Sequence, residues 1–361
     1  MILAIGTRLQ DFTTGSHALF ANARLLSLNV QSFDASKWSG TALVADALVG
    51  LQALSAVLGT WAADSAWTAR AQQQVALWNA RVTELTTAAP QPDVLPYDAE
   101  VIGAVRDSLN DAGGDSGVHD VAICAAGTLP AELHKLWRAS RPGNYHMEYG
   151  YSCMGYEIAG GLGVKLARPE QEVIVLVGDG SYMMMNSELA TSVMLGKKII
   201  VVVLDNRGYG CIQRLQTASG SPAFNNLLDD SFHVNASAID FVAHAASMGA
   251  KAVKASDIKS LEAELAAAKG SDRPVVIVID TDPMPSTEAG GSWWDVAVPE
   301  VSTRPAVQAA RKAYETDPEA AGTLMKAHYA GQAPDEYKTV YGDGGDTSFI
   351  RELVAEGLQP G

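Results

Sequence analysis

The chain is 361 residues long, room for two or three domains, with a composition (47% hydrophobic, 19% charged) ordinary for a globular protein. Its formal charge of −15 argues against a nucleic-acid or anionic-membrane partner held on a broad basic face, so an anionic ligand would need a local device such as a metal ion or a helix N-terminus. No apolar stretch approaches the ~20 residues that span a bilayer, the N-terminus lacks the basic lead of a signal peptide, and three cysteines without metal-ligand spacing fit a reducing cytoplasm.

In chain order, "ILAIG" directly after Met1 and "ARLLSLNV" at 23–30 read as buried strands. A helix is predicted over 41–58, with Leu48, Leu51, Leu54 and Leu58 on one face. Two strands and one helix leave sheet edges and apolar faces uncovered, so residues 1–60 are expected to be the end of a truncated domain or to need a partner. Asp64 can cap a next helix whose apolar face runs Trp67, Ala71, Val75, Trp78, Val82, Leu85, and "AAPQPDVLPY" reads as a stiff linker, giving a connecting segment at 61–96.

From 97 to about 283, strands and helices alternate. Strands are predicted at 118–124, 172–177, 198–204, 250–253 and 274–280, and helices at 130–139, 154–167, 186–195, 239–248 and 257–269. Near-continuous apolar strands separated by helices imply an α/β fold with a doubly wound parallel sheet. Beyond 283 the chain reads as an irregular C-terminal extension, 284–361.

Ligands of such sheets sit beyond the carboxyl ends of the strands. Asp179, in "GDGS", and Asn206, in "DNRGYG", each follow a buried strand, and one right-handed crossover between them puts both on the same edge. Such an oxygen-only pair suits magnesium, with phosphate and water completing six ligands. Gly178 and Gly180 let the backbone approach a phosphate closely. The plainer alternative is an Asp-Gly turn, the reading that holds for the second "GDG" at 342–344, which no buried strand precedes.

"GDGS" followed after 24 residues by Asn206 resembles the binding motif of the thiamine-diphosphate enzymes of the acetolactate synthase and pyruvate decarboxylase superfamily. The stretches "YHMEYGYSCMGYEIAGGLGVKLA" (145–167), "DNRGYGCI" (205–212) and "WWDVAVPEVS" (293–302) narrow the likeness to the family of trihydroxycyclohexane-dione hydrolases of inositol catabolism. The likeness covers only the C-terminal part of those enzymes: the tail of a Rossmann-like middle domain and the diphosphate-binding domain. It implies thiamine diphosphate and Mg2+ as cofactors, a cyclic diketone as substrate, and a homo-oligomer in which an absent pyrimidine-binding domain supplies the activating glutamate. None of Glu148, Glu157 or Glu188 matches that glutamate's motif.

Carried over by position, Asp179, the Asn206 side chain and the Gly208 carbonyl would bind the metal. Gly127, Thr128, Gly178, Gly180 and Ser181 would hold the diphosphate. Met154 would prop the cofactor, and the Ser152 carbonyl would accept from its aminopyrimidine. His146 or Glu148 could carry a proton. Met154 can also be core packing, Thr128 a helix cap, His146 a backbone-bonded histidine, and Trp293 and Trp294 either an active-site cap or anchors. Four glycines in 155–163 cost about 1 kcal/mol each against alanine, which a close approach by cofactor or a neighbouring helix would justify. Two other functions stay open on sequence: an acetolactate-synthase-like carboligase, and a non-catalytic scaffold retaining the fold.

Overall fold

Strands whose alternate residues are all apolar have no face to offer water, and the main sheet follows from that. The computed structural model describes residues 1–15, 23–87, 94–109, 120–148, 150–235, 237–287, 296 and 298–316. They fall into two compact units: residues 1–67 with 218–221 and the segment from 291, and residues 68–217 with 222–290.

In the first unit, β1 (Ile2–Ile5), α1 (Asp11–Thr14), β2 (Leu25–Asn29), α2 (Ser32–Ala35), β3 (Thr41–Val44) and α3 (Ala47–Leu58) make a three-stranded parallel sheet in the order β1-β2-β3. The helix predicted over 41–58 is therefore a strand followed by a helix. Asp46 makes the break, accepting from the Leu48 and Val49 amides and fixing the helix start. The leucine face of α3 is not buried: Leu48 is 66% exposed, and Gly50 is the buried residue of the helix.

The second unit holds the main sheet. Its elements are α4 (Ser65–Thr86), α5 (Asp98–Ser108), β4 (Val121–Cys124), α6 (Thr128–Leu136), β5 (Tyr145–Met147), α7 (Tyr156–Ala167), β6 (Val173–Gly178), α8 (Asp179–Met184), α9 (Ser187–Met194), β7 (Ile200–Asp205), α10 (Gly210–Ala218), α11 (Phe241–Ser247), β8 (Lys251–Ala255), α12 (Ile258–Lys269) and β9 (Val275–Asp280). The six strands run in the order β5-β4-β6-β7-β9-β8, every pair parallel. Ile174, Leu176, Ile200, Val202 and Leu204 pack with α4, α5, α6 and α12. The intervening Val173, Val175, Val177, Val201 and Val203 pack with α7, α8, α9 and α11. Strands of period two, apolar on both faces, give the doubly wound α/β sheet expected.

Several boundaries depart from expectation. α6 begins at Thr128 rather than Pro130, because a proline anywhere in the first turn removes only an amide that has no partner there. Gly161 in α7 does face a close neighbour, but it is strand β6: an added Cβ would lie 2.5 Å from Val175 Cγ2. After 283 the chain is not wholly irregular, since α13 (Pro305–Thr316) forms in the first unit. Residues 118–119, most of the proline-rich linker, Trp293, Trp294 and the second GDG lie outside the described residues. Among the described residues no helix is long and apolar enough to cross a membrane.

Candidate metal–diphosphate site at the carboxyl edge

Register aligns Gly178 of β6 with Leu204 of β7, so Asp179 and Asn206 leave neighbouring strands at the same edge. Asp179 opens α8 and is buried; its Oδ1 and the Asn206 Oδ1 are both enclosed without a hydrogen-bond partner. An orphaned buried acceptor costs about 1–3 kcal/mol. Both lie just past adjacent strands at one edge of the sheet, acceptors that a cation could satisfy. Burial, then the neighbouring Asp205 carboxylate, push the Asp179 pKa up to about 7 against the pull of the Gly180 and Gly208 amides. Gly208 thus meets Asp179 through its N–H, whereas its carbonyl is the expected ligand group. Among the described residues no cluster of three or more His, Cys, Asp or Glu could hold a metal. The available set is one carboxylate, one carboxamide and backbone, which leaves positions for phosphate and water.

The loop carrying Asn206 is braced from one side. Leu228 N donates to Arg207 O at 2.9 Å, and Tyr209 N to Asn226 O at 2.8 Å. Gly208 sits at φ 150°, and a Cβ there would lie 2.3 Å from Asn226 O, so only glycine fits. The Tyr209 ring covers Gly180, where an added Cβ would lie 2.7 Å from Tyr209 Cε1. A side chain at 180 would have to displace that ring, which is 42% exposed.

Three expected cofactor segments meet on Glu157, the second residue of α7. Its buried carboxylate accepts from Ala126 N at 3.2 Å, Gly155 N at 2.9 Å and Ser181 Oγ at 2.8 Å. Gly155 N also donates to Ser181 Oγ at 2.8 Å. Ser181 therefore spends its single proton on Glu157. Gly127, at φ 90°, caps α6 with open space where a side chain would stand, and Thr128 begins that helix.

His146 lies on β5, which β4 separates from β6, about 10 Å across the sheet from the Asp179 strand. Its Nε2 is 2.6 Å from Tyr156 Oη. The partner is a side chain, not the backbone carbonyl of the plainer reading. Glu148 accepts from Tyr151 N at 2.9 Å and Cys153 N at 2.8 Å, bonds that hold its pKa below the usual range. Glu148 thus shapes the loop carrying Ser152 (φ 52°) and Met154, and its ionised form suits that task better than proton delivery. Sequence reasoning alone gives Glu157 no role. The available signal is one acid inside an otherwise glycine-rich, apolar helix.

Residues 125–279 match the family described as thiamine pyrophosphate enzyme, C-terminal TPP binding domain. The chain is similar to the 3D-(3,5/4)-trihydroxycyclohexane-1,2-dione hydrolase of Geobacillus thermodenitrificans, 37% identical over 86% of this chain and 51% of that protein. It is equally similar to the Bacillus subtilis protein of the same name, 37% identical over 89% of this chain and 53% of the other. The chain thus spans about half the length of these curated relatives. Among solved structures, the thiamine diphosphate-dependent 4-hydroxybenzoylformate decarboxylase of Rhodococcus jostii RHA1 superposes with a TM-score of 0.55 at 18% identity, over 73% of this chain and 45% of that one. At that identity the likeness speaks for the fold.

Proposed function

We propose, from the match of residues 125–279 to the C-terminal thiamine pyrophosphate-binding domain and from the relatives at 37% identity, that this chain holds the diphosphate–magnesium half of an active site that hydrolytically opens 3D-(3,5/4)-trihydroxycyclohexane-1,2-dione. The observation that carries the reading is the pair of buried, unpartnered oxygens on Asp179 and Asn206. The names of the relatives at 37% identity support that choice of substrate. Cytoplasmic inositol catabolism, a homo-oligomer and a small-molecule diketone follow from the same reading.

In this proposal Asp179, Asn206 and the Gly208 backbone hold Mg2+. The amides of Gly127 and Thr128, at the start of a nine-residue helix, face phosphate oxygens alongside the backbone at Gly178 and Gly180. When bound, thiamine diphosphate supplies an electron sink for breaking a bond beside a carbonyl, chemistry that side chains perform poorly. Ser152 and Met154 present the carbonyl and the apolar prop for the aminopyrimidine end. The His146–Tyr156 pair, 2.6 Å apart, carries a proton between Nε2 and Oη at the substrate end of the site.

Titrating the chain calorimetrically with thiamine diphosphate and Mg2+ tests this. The reading expects metal-dependent binding that Asp179→Ala abolishes; absence of binding by the parent chain overturns it and favours a scaffold. Assay of the full-length protein, expected to consume the cyclic dione and not pyruvate, tests the substrate.

A further inference from the structure

Glu157 is fully buried, in a helix that needs no acid for its packing. A carboxylate taken from water is costly unless it is hydrogen-bonded. Here one hydroxyl and two backbone amides surround it, and each comes from a different stretch of chain: Ala126 adjoins Gly127, Gly155 adjoins Met154, and Ser181 adjoins Gly180. Ser181 Oγ gives its proton to Glu157 and receives the Gly155 N–H, leaving no proton on that side chain for a phosphate.

We infer that Glu157 is a positioning residue of the cofactor cradle: its carboxylate ties the strand end at 126, the loop at 155 and the turn at 181 into one rigid frame, and Ser181 serves that frame rather than donating to the diphosphate. This rests on the thiamine-diphosphate reading above. Burial raises the Glu157 pKa above its ordinary value, and the bonds from Ser181, Ala126 and Gly155 offset that only in part, so the carboxylate depends on those donors. The substitution Glu157→Gln would bring an amide group against the Gly155 or Ala126 N–H, replacing an acceptor by a donor, so the frame loosens without a change in volume.

The chain itself is titrated with thiamine diphosphate and Mg2+, and hydrogen exchange of the Ala126 and Gly155 amides is followed without ligand. Glu157→Gln is expected to speed exchange at both amides and weaken cofactor affinity about 10- to 100-fold, the range for bonds to a charged group. Ser181→Ala is expected to weaken it about 5-fold, and the double variant to bind no worse than Glu157→Gln alone, since both act through one frame. Unchanged affinity in a folded Glu157→Gln overturns the inference while leaving the cofactor reading intact; no binding by the parent chain overturns that reading first. If Glu157→Gln does not fold, Ser181→Ala decides: unchanged affinity, or a weakened one with Gly155 exchange unaltered, overturns the inference.

Discussion

The two edges of the main sheet are built to opposite rules. At the amino edge the lysines that enter the sheet are matched. Lys198, before β7, meets Glu172, before β6, at 2.7 Å and donates to Lys269 O at 2.7 Å. Lys269 in turn reaches Asp120, before β4, at 3.2 Å, and Lys165 donates to Gln171 O at 2.6 Å. At the carboxyl edge Asp179 Oδ1, Asn206 Oδ1 and Thr281 Oγ1 are buried and unpartnered, and Ser152 and Arg207 hold positive φ. The lysines named at one edge are met within the chain; at the other edge three buried side-chain oxygens are left open at a cost in stability, which is how strain and function coincide.

If that contrast is right, acids at the carboxyl edge should oppose folding. The largest effect is expected at Asp98, packed near Cys124 and between Arg214 and Glu132. Burial raises its pKa from 3.8 to about 7. Between those values the native state keeps a proton that the unfolded chain has lost, so stability falls as pH rises from about 4 to 7. Asp98→Asn removes that slope and should gain on the order of 4 kcal/mol, at most, at pH 8 over the parent, and nothing at pH 4, by urea unfolding. Equal slopes in parent and variant would break the comparison.

Asp179→Ala comes next. Cofactor affinity should fall at least about 100-fold, or roughly 2.7 kcal/mol, while the unliganded chain melts no lower than the parent, because the acid removed has an unpartnered Oδ1 and a charge that burial and the nearby Asp205 oppose. Lys198→Met is the mirror experiment at the amino edge. It leaves Glu172 with the longer Lys165 contact at 4.0 Å and strands two helix-end carbonyls, so stability should drop by about 2 kcal/mol with cofactor affinity unchanged. Loss of binding there would mean the edges are not separable.

What sequence makes legible follows the same physics. Strands β6, β7 and β9 are apolar on both faces, so their runs stand out, and Asp179 and Asn206 can be placed because each closes such a run. β5, the three-residue Tyr145–Met147 at the sheet margin, has no such run to mark it. β3 is hidden inside an apolar stretch shared with α3; the break is Asp46, a cap without a proline or glycine beside it. α5 does not stand out although Glu100 closes a capping box on Tyr97, and α10 is masked because it opens on a glycine. The metal-type pair is legible because each member is local to one strand end. Glu157 is not, because its meaning lies in three contacts to separate stretches of chain.

Two glycine variants isolate the edges most cleanly. Gly127 follows β4 at the carboxyl edge, and Gly196 precedes β7 at the amino edge. Both have positive φ, 90° and 59°, and at neither would a Cβ meet another atom within 4 Å. Alanine at 196, whose φ is that of the left-handed region, should cost about 1 kcal/mol of stability from backbone conformation alone. At 127, where φ 90° is joined to ψ −148°, a region nearly confined to glycine, the cost should be larger, about 2–3 kcal/mol, again with no clash. A methyl at 127 projects into the space assigned to phosphate oxygens and should weaken thiamine diphosphate about 5- to 10-fold, of order 1 kcal/mol. A methyl at 196 projects into open space at the far edge and should leave affinity as it was. Two melts thus measure the backbone strain at each end of one sheet, two titrations show whether affinity follows position rather than stability, and equal affinity losses would place the ligand elsewhere.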